Sequence, residues 1–63
     1  MKRQIELLLR LAGAWEWEIT EAPHIHEIVI RTKGIGMGKR LALAELCSSM
    51  FTGLWSYRVE RLE

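Results

Sequence analysis

Trp15, Trp17 and Ile19 alternate with Glu16, Glu18 and Thr20, the period of two that marks a strand with one buried face. Ala22 and Pro23 interrupt the alternation. Ile25, Ile28, Val29 and Ile30, all β-branched, predict a second strand over residues 25–32, closed by the turn from Lys33 to Gly38. From Gly38 to Phe51 the period lengthens. At about 100° per residue Ala42, Leu43, Leu46, Cys47 and Met50 gather on one side, with Glu45, Ser48, Ser49 and Thr52 on the other. That predicts an amphipathic helix with its C-cap near Gly53. Trp55, Tyr57 and Val59 then alternate with Ser56, Arg58 and Glu60 as a closing strand.

The first eleven residues satisfy both periods. As a helix, Glu6 and Arg10 pair at i,i+4 beside an apolar stripe of Ile5, Leu8, Leu9 and Ala12. As a strand, Ile5, Leu7, Leu9 and Leu11 keep period two, and a turn at residues 12–14 sets Leu11 by Trp15, Leu9 by Trp17 and Arg10 by Glu16. Leucine's propensity favours the helix, whereas the matched pairs favour the strand. The expected fold class is α+β, with residues 1–63 as a single domain. It is a small antiparallel sheet of three or four strands in the order β-β-β-α-β, with α-β-β-α-β as the alternative, and one amphipathic helix packed on one face.

Length narrows the function. A chain of 63 residues buries only about 60% of the surface it exposes when unfolded, so its single thin core leaves no room for the two-walled cleft of most enzymes. Cys47 is the only cysteine, which excludes an internal disulfide and a cysteine-rich zinc module. A net charge of +1 is too small to hold nucleic acid by bulk charge. Glu6 and Arg10 interrupt the leucine-rich run after Lys2 and Arg3, so that run does not read as a secretory signal, and a cytoplasmic protein without a membrane span is expected.

The charge is segregated along the chain. Residues 14–27 hold Glu16, Glu18, Glu21 and Glu27 without a cation, and residues 31–40 hold Arg31, Lys33, Lys39 and Arg40 without an acid. Neutralisation across neighbouring strands is the first expectation. The second is a basic contact surface at Gly34-Ile35-Gly36-Met37-Gly38-Lys39-Arg40, a turn between strand and helix that presents N–H groups to an anion. The spacing is not that of a P-loop, since three residues rather than four separate Gly34 from the Gly-Lys pair and Arg40 stands where Ser or Thr would bind the metal. It does not meet the dinucleotide fingerprint either.

Gly34-x-Gly36-x-Gly38-Lys39-Arg40-x-Ala42 resembles the start of the second helix in double-stranded-RNA-binding domains, and Ala22-Pro23-His24 is similar to the loop after that family's first strand. The resemblance implies phosphate contacts from Lys39 and Arg40 and a minor-groove contact from His24. This chain departs from the family at Gly38, where Ser or Thr is usual, and at Leu43, where a basic residue is usual; between His24 and Lys39 there is no room for a third strand. Over residues 15–62 the order strand, strand, alanine- and leucine-rich helix, strand, ending in Tyr57-Arg58-Val59-Glu60-Arg61, resembles small phage-encoded inhibitors, including anti-CRISPR proteins and phage inhibitors of host RNA polymerase. That resemblance implies a non-catalytic wedge on a nucleic-acid machine.

Catalytic chemistry is sparse. The chain has no Asp and no triad, and Cys47 falls on the apolar side of its helix, where a thiol is inert. His24 and His26 would share one side of a strand, but two imidazoles need a third ligand and Glu27 points away, so neither a metal nor another cofactor is expected. Trp15, Trp17, Trp55 and Tyr57 are assigned to the core with Met50 and Phe51. Leu41, on the polar side of the helix beside two cations, is assigned to a protein contact.

The expected function is a non-enzymatic macromolecule-binding module, a phage or mobile-element inhibitor of host nucleic-acid machinery; a small duplex-RNA-binding domain is the alternative. The expected contact residues are Lys33, Gly34, Gly36, Gly38, Lys39, Arg40, Leu41 and His24. The partner would be a host protein or nucleoprotein complex, with nucleic acid as a further candidate, no membrane, and a homodimer through a strand edge as a further expectation.

Overall fold

Leucine's helix propensity prevails at the N-terminus. The computed structural model describes residues 2–51, 53 and 55–62, in the order α1 (Lys2–Ala12), β1 (Glu16–Ala22), a turn of 3-10 helix (Pro23–Ile25), β2 (Glu27–Lys33), α2 (Met37–Met50) and β3 (Ser56–Arg61). The class is α+β, and the order is the alternative α-β-β-α-β. In α1 the stripe of Ile5, Leu8, Leu9 and Ala12 meets the core, with Ile5 and Leu9 fully buried, while Leu7 and Leu11 face outward. Gly13 ends the helix at φ +102°, where its N–H reaches the Arg10 carbonyl at 3.1 Å and the Ala14 N–H reaches that of Leu9 at 2.9 Å. This pair of bonds is a Schellman motif, and Ala14 and Leu9 both belong to the buried cluster. Arg10 stands over the Trp17 ring, 5.5 Å from its centroid, rather than beside Glu16.

The sheet has three strands in the order β1-β2-β3 and is mixed. β1 and β2 run antiparallel, with Trp17 opposite Thr32 and Ile19 opposite Ile30; β2 and β3 run parallel, with Ile28 opposite Tyr57 and Ile30 opposite Val59. The expected wholly antiparallel sheet is therefore corrected. A parallel neighbour needs a crossover of a dozen or more residues, and α2 supplies it. Ile28, Ile30 and Thr32 of the central strand are buried beneath the helices. The opposite face carries Glu16 beside Lys33 at 3.5 Å, Arg58 between Glu27 at 3.6 Å and Glu60 at 3.0 Å, and Glu18 in register with Arg31. The acidic segment and part of the basic one do meet across the ladder.

Two helices, not one, cover the inner face. Trp17 donates from Nε1 to Glu6 Oε2 at 3.2 Å, which ties α1 to β1, and α2 packs on β3. Because α1 shares the cover of the core, the buried stripe of α2 is narrow: Leu43 and Cys47 are buried, whereas Ala42, Leu46 and Met50 of the expected apolar side are exposed. Ile25 is exposed as well, since β2 begins only at Glu27 after the 3-10 turn and His26 at φ 51°. Thr52, assigned to the polar side of the helix, lies outside the described residues. No helix among the described residues is long and apolar enough to cross a membrane.

Burial pushes the Cys47 thiol above its ordinary value, and it pushes the Tyr57 phenol up as well, with the Cys47 charge adding repulsion. A raised acid pKa means that the folded state holds a proton the unfolded chain gives up sooner. Stability is therefore full below the ordinary thiol value of 9.0 and declines as pH climbs from there toward the folded-state value. In urea unfolding followed across alkaline pH, the midpoint should fall above about pH 9, and Cys47→Ala should flatten that fall. An equal fall in both proteins would place its origin elsewhere.

Candidate functional site

Parallel pairing sets the carboxyl ends of β2 and β3 side by side at one end of the sheet, the location of crevices in open α/β sheets. A cleft of about 750 Å³ lies there. Thr32, Lys33, Arg61 and Leu62 come from the strand ends, Gly34, Ile35, Gly36 and Met37 from the turn into α2, Arg40 from its first turn, and Trp15 from the entry to β1. Each is positioned by backbone geometry. Gly34 turns the chain at φ +99°, and a Cβ on it would stand 2.6 Å from Trp15 Cδ1 and 2.9 Å from the Gly13 carbonyl oxygen. Trp15 N–H reaches the Lys33 carbonyl at 3.3 Å, so the two turns are pinned together.

Among the described residues the charged groups that line the cleft are Lys33, Arg40 and Arg61, and Glu16 pairs with Lys33 at 3.5 Å without lining it. The Lys33 ammonium sits 5.6 Å from the Trp15 ring centroid, and Arg40 Nη1 donates to the Ile35 carbonyl at 3.0 Å. Arg61 has no ion-pair partner among the described residues. Gly36 is the N-cap of α2 and offers no side-chain acceptor to the first-turn N–H groups. Thr32 is completely buried, with its hydroxyl against the carbonyls of Glu16 at 3.0 Å and Lys33 at 3.3 Å. Among the described residues the lining holds no imidazole, thiol or carboxylate; what those residues offer chemically is recognition of negative charge.

Of the residues expected at the site, Lys33, Gly34, Gly36 and Arg40 are brought together. Gly38 and Leu41 are exposed just beyond the cleft. Lys39 turns away and donates from Nζ to the Ala12 carbonyl at 3.1 Å, capping the C-terminus of α1. His24 lies in the 3-10 turn at the far end of β2, which is seven residues or about 20 Å long. His26 instead packs edge-on against Trp55 with ring centroids 5.2 Å apart. No three His, Cys, Asp or Glu groups converge among the described residues.

Trp15 is the main correction. It is 68% exposed rather than part of the core. β1 starts one residue later, and the Schellman turn carries the indole past the end of the sheet. Arg61 was missed as well, because its arrival depends on β3 running parallel to β2. Comparison with protein-family models, with curated proteins and with solved structures finds no match to this chain.

Proposed function

We propose that the protein is a non-enzymatic binding module that acts on nucleic-acid machinery in the cytoplasm, in the manner of a phage or mobile-element inhibitor. One observation carries this reading: Lys33, Arg40 and Arg61 line an open cleft, and no carboxylate among the described residues lines it with them. In a chain of net charge +1, such a concentration of cations makes a local field that the whole molecule lacks. Leu41 and Met37, both exposed beside it, add apolar contact of the kind that gives a charged interface its residence time. Duplex RNA is less well served, since His24 precedes β2 and the basic turn follows it, which puts them at opposite ends of that strand and out of one shared cleft.

Affinity purification of the tagged protein from bacterial extract should recover one discrete protein or nucleoprotein assembly. Arg61→Glu should abolish that recovery while stability changes by less than about 0.5 kcal/mol, as for other exposed surface positions. Lys39→Ala/Arg40→Ala is a less clean probe than the sequence implies. Loss of two cations from a helix N-terminus is favourable, but both side chains also hold backbone carbonyls, so the two effects oppose each other. Bulk RNA recovered without protein would overturn the inhibitor reading.

A further inference from the structure

We infer that the cleft takes an unpaired nucleotide, whose base stacks on the indole of Trp15 and whose phosphate lies against Arg40 and Arg61. This rests on the proposed reading of the cleft as the contact surface and names what enters it.

Trp15 provides the first argument. A tryptophan 68% exposed in a domain short of core residues is an unfilled apolar surface, and it stands among cations. It is also held in place. The Lys33 ammonium sits over the ring, the pyrrole edge abuts Gly34 so closely that a Cβ there would lie 2.9 Å from Nε1, and the backbone N–H is bonded to Lys33. A platform fixed before binding loses little side-chain freedom when a flat ligand settles on it.

Charge supplies the second argument. Arg40 and Arg61 flank the same cleft, and guanidinium forks suit phosphate oxygens. An acidic protein surface would satisfy the cations but leave the indole in water. A duplex would offer phosphates but keep its bases stacked inside, out of reach of the ring. An unpaired nucleotide presents both a phosphate and a free π-face, the pairing on which single-strand binders rely. The volume of about 750 Å³ is within the range of small-ligand sites.

The test uses the full chain with a short oligothymidine and a short mixed-sequence duplex as probes, followed by fluorescence anisotropy at several salt concentrations. Wild-type protein should bind the single strand at least about tenfold more tightly than the duplex, given the worth of one stacked base. Trp15→Ala should weaken single-strand binding by about ten- to a hundredfold, and Trp15→Phe, which keeps a ring, by much less. Arg61→Ala should lower the salt slope by about 0.7, the loss of one phosphate contact on a single strand. Duplex binding as tight as single-strand binding overturns the inference, whether or not Trp15→Ala folds, and so does full affinity in that variant. Absence of oligothymidine binding, with the assembly still recovered and still lost in Arg61→Glu, overturns the nucleotide while sparing the proposed function; loss of both removes both.

Discussion

Ile30→Ala should leave the protein largely unfolded at physiological temperature. Ile30 is 1% exposed, stands in the central strand opposite Ile19 on one side and Val59 on the other, and belongs to the cluster that includes Ile5, Leu9, Leu43 and Cys47. Truncation of a buried isoleucine costs about 2–5 kcal/mol, in lost transfer free energy and in the cavity left behind. At about 0.05–0.15 kcal/mol per residue, a 63-residue domain has only about 3–9 kcal/mol in total. Among the described residues there is no second core to compensate. Val29→Ala, one residue earlier but on the charged face of the sheet, should cost less than half as much. Urea unfolding followed by far-ultraviolet circular dichroism measures both; comparable losses would mean that the two faces of β2 are not distinguished by burial.

The alternation that predicts β1 and β3 also selects the inner face at Trp17, Ile19, Tyr57 and Val59, whereas the β-branched run that predicts β2 leaves open which of Ile28, Val29 and Ile30 point inward. Residues 2–12 were harder for a physical reason. A run with apolar residues at 5, 7, 8, 9 and 11 meets both periods, and the deciding signal is the glycine that follows. Gly13 fits a hairpin turn or a helix C′ position, and only the second explains why a small apolar Ala14 comes next. Leu46 and Met50 were misplaced as a consequence, since a single helix would have had to cover the whole sheet, whereas a pair leaves each with a narrower buried stripe.

Strand direction was legible and was misjudged. Between Lys33 and Ser56 the described residues form one helix, and the segment has the length of a crossover to a parallel neighbour. Had that been followed, Arg61 would have been placed beside Lys33 and Arg40, and the cleft would have been foreseeable from the sequence. Trp15 was not foreseeable in the same way. Its alternation with Trp17 and Ile19 points to the core, and what excludes it is a turn geometry that belongs to Gly13 and Gly34 together. Local patterning describes elements; it does not describe where two turns meet.

Gly34→Ala should therefore be the most damaging glycine substitution, and it should damage the cleft along with the fold. A backbone at φ +99° is strained for any residue with a side chain, which costs about 1–3 kcal/mol. The added Cβ would also stand 2.6 Å from Trp15 Cδ1 and 2.9 Å from the Gly13 carbonyl oxygen. The indole could give way only by leaving its seat against Gly34 and Lys33. The carbonyl cannot move freely either, since Gly13 is itself at φ +102° and its N–H is bonded to Arg10. Relief must come from parting the turn after α1 from the turn after β2, and the expected total is about 2–4 kcal/mol. Gly38→Ala supplies the control on the same turn. Gly38 lies inside α2, a Cβ there meets nothing within 4 Å, and alanine has the better helix propensity, so stability should rise by about 0.4–1 kcal/mol. Urea unfolding of the two variants separates the causes. If both shifted the midpoint alike, the glycines would be serving chain flexibility alone; a large loss confined to Gly34→Ala, with altered tryptophan emission in the folded state, ties the seat of Trp15 to this one backbone position.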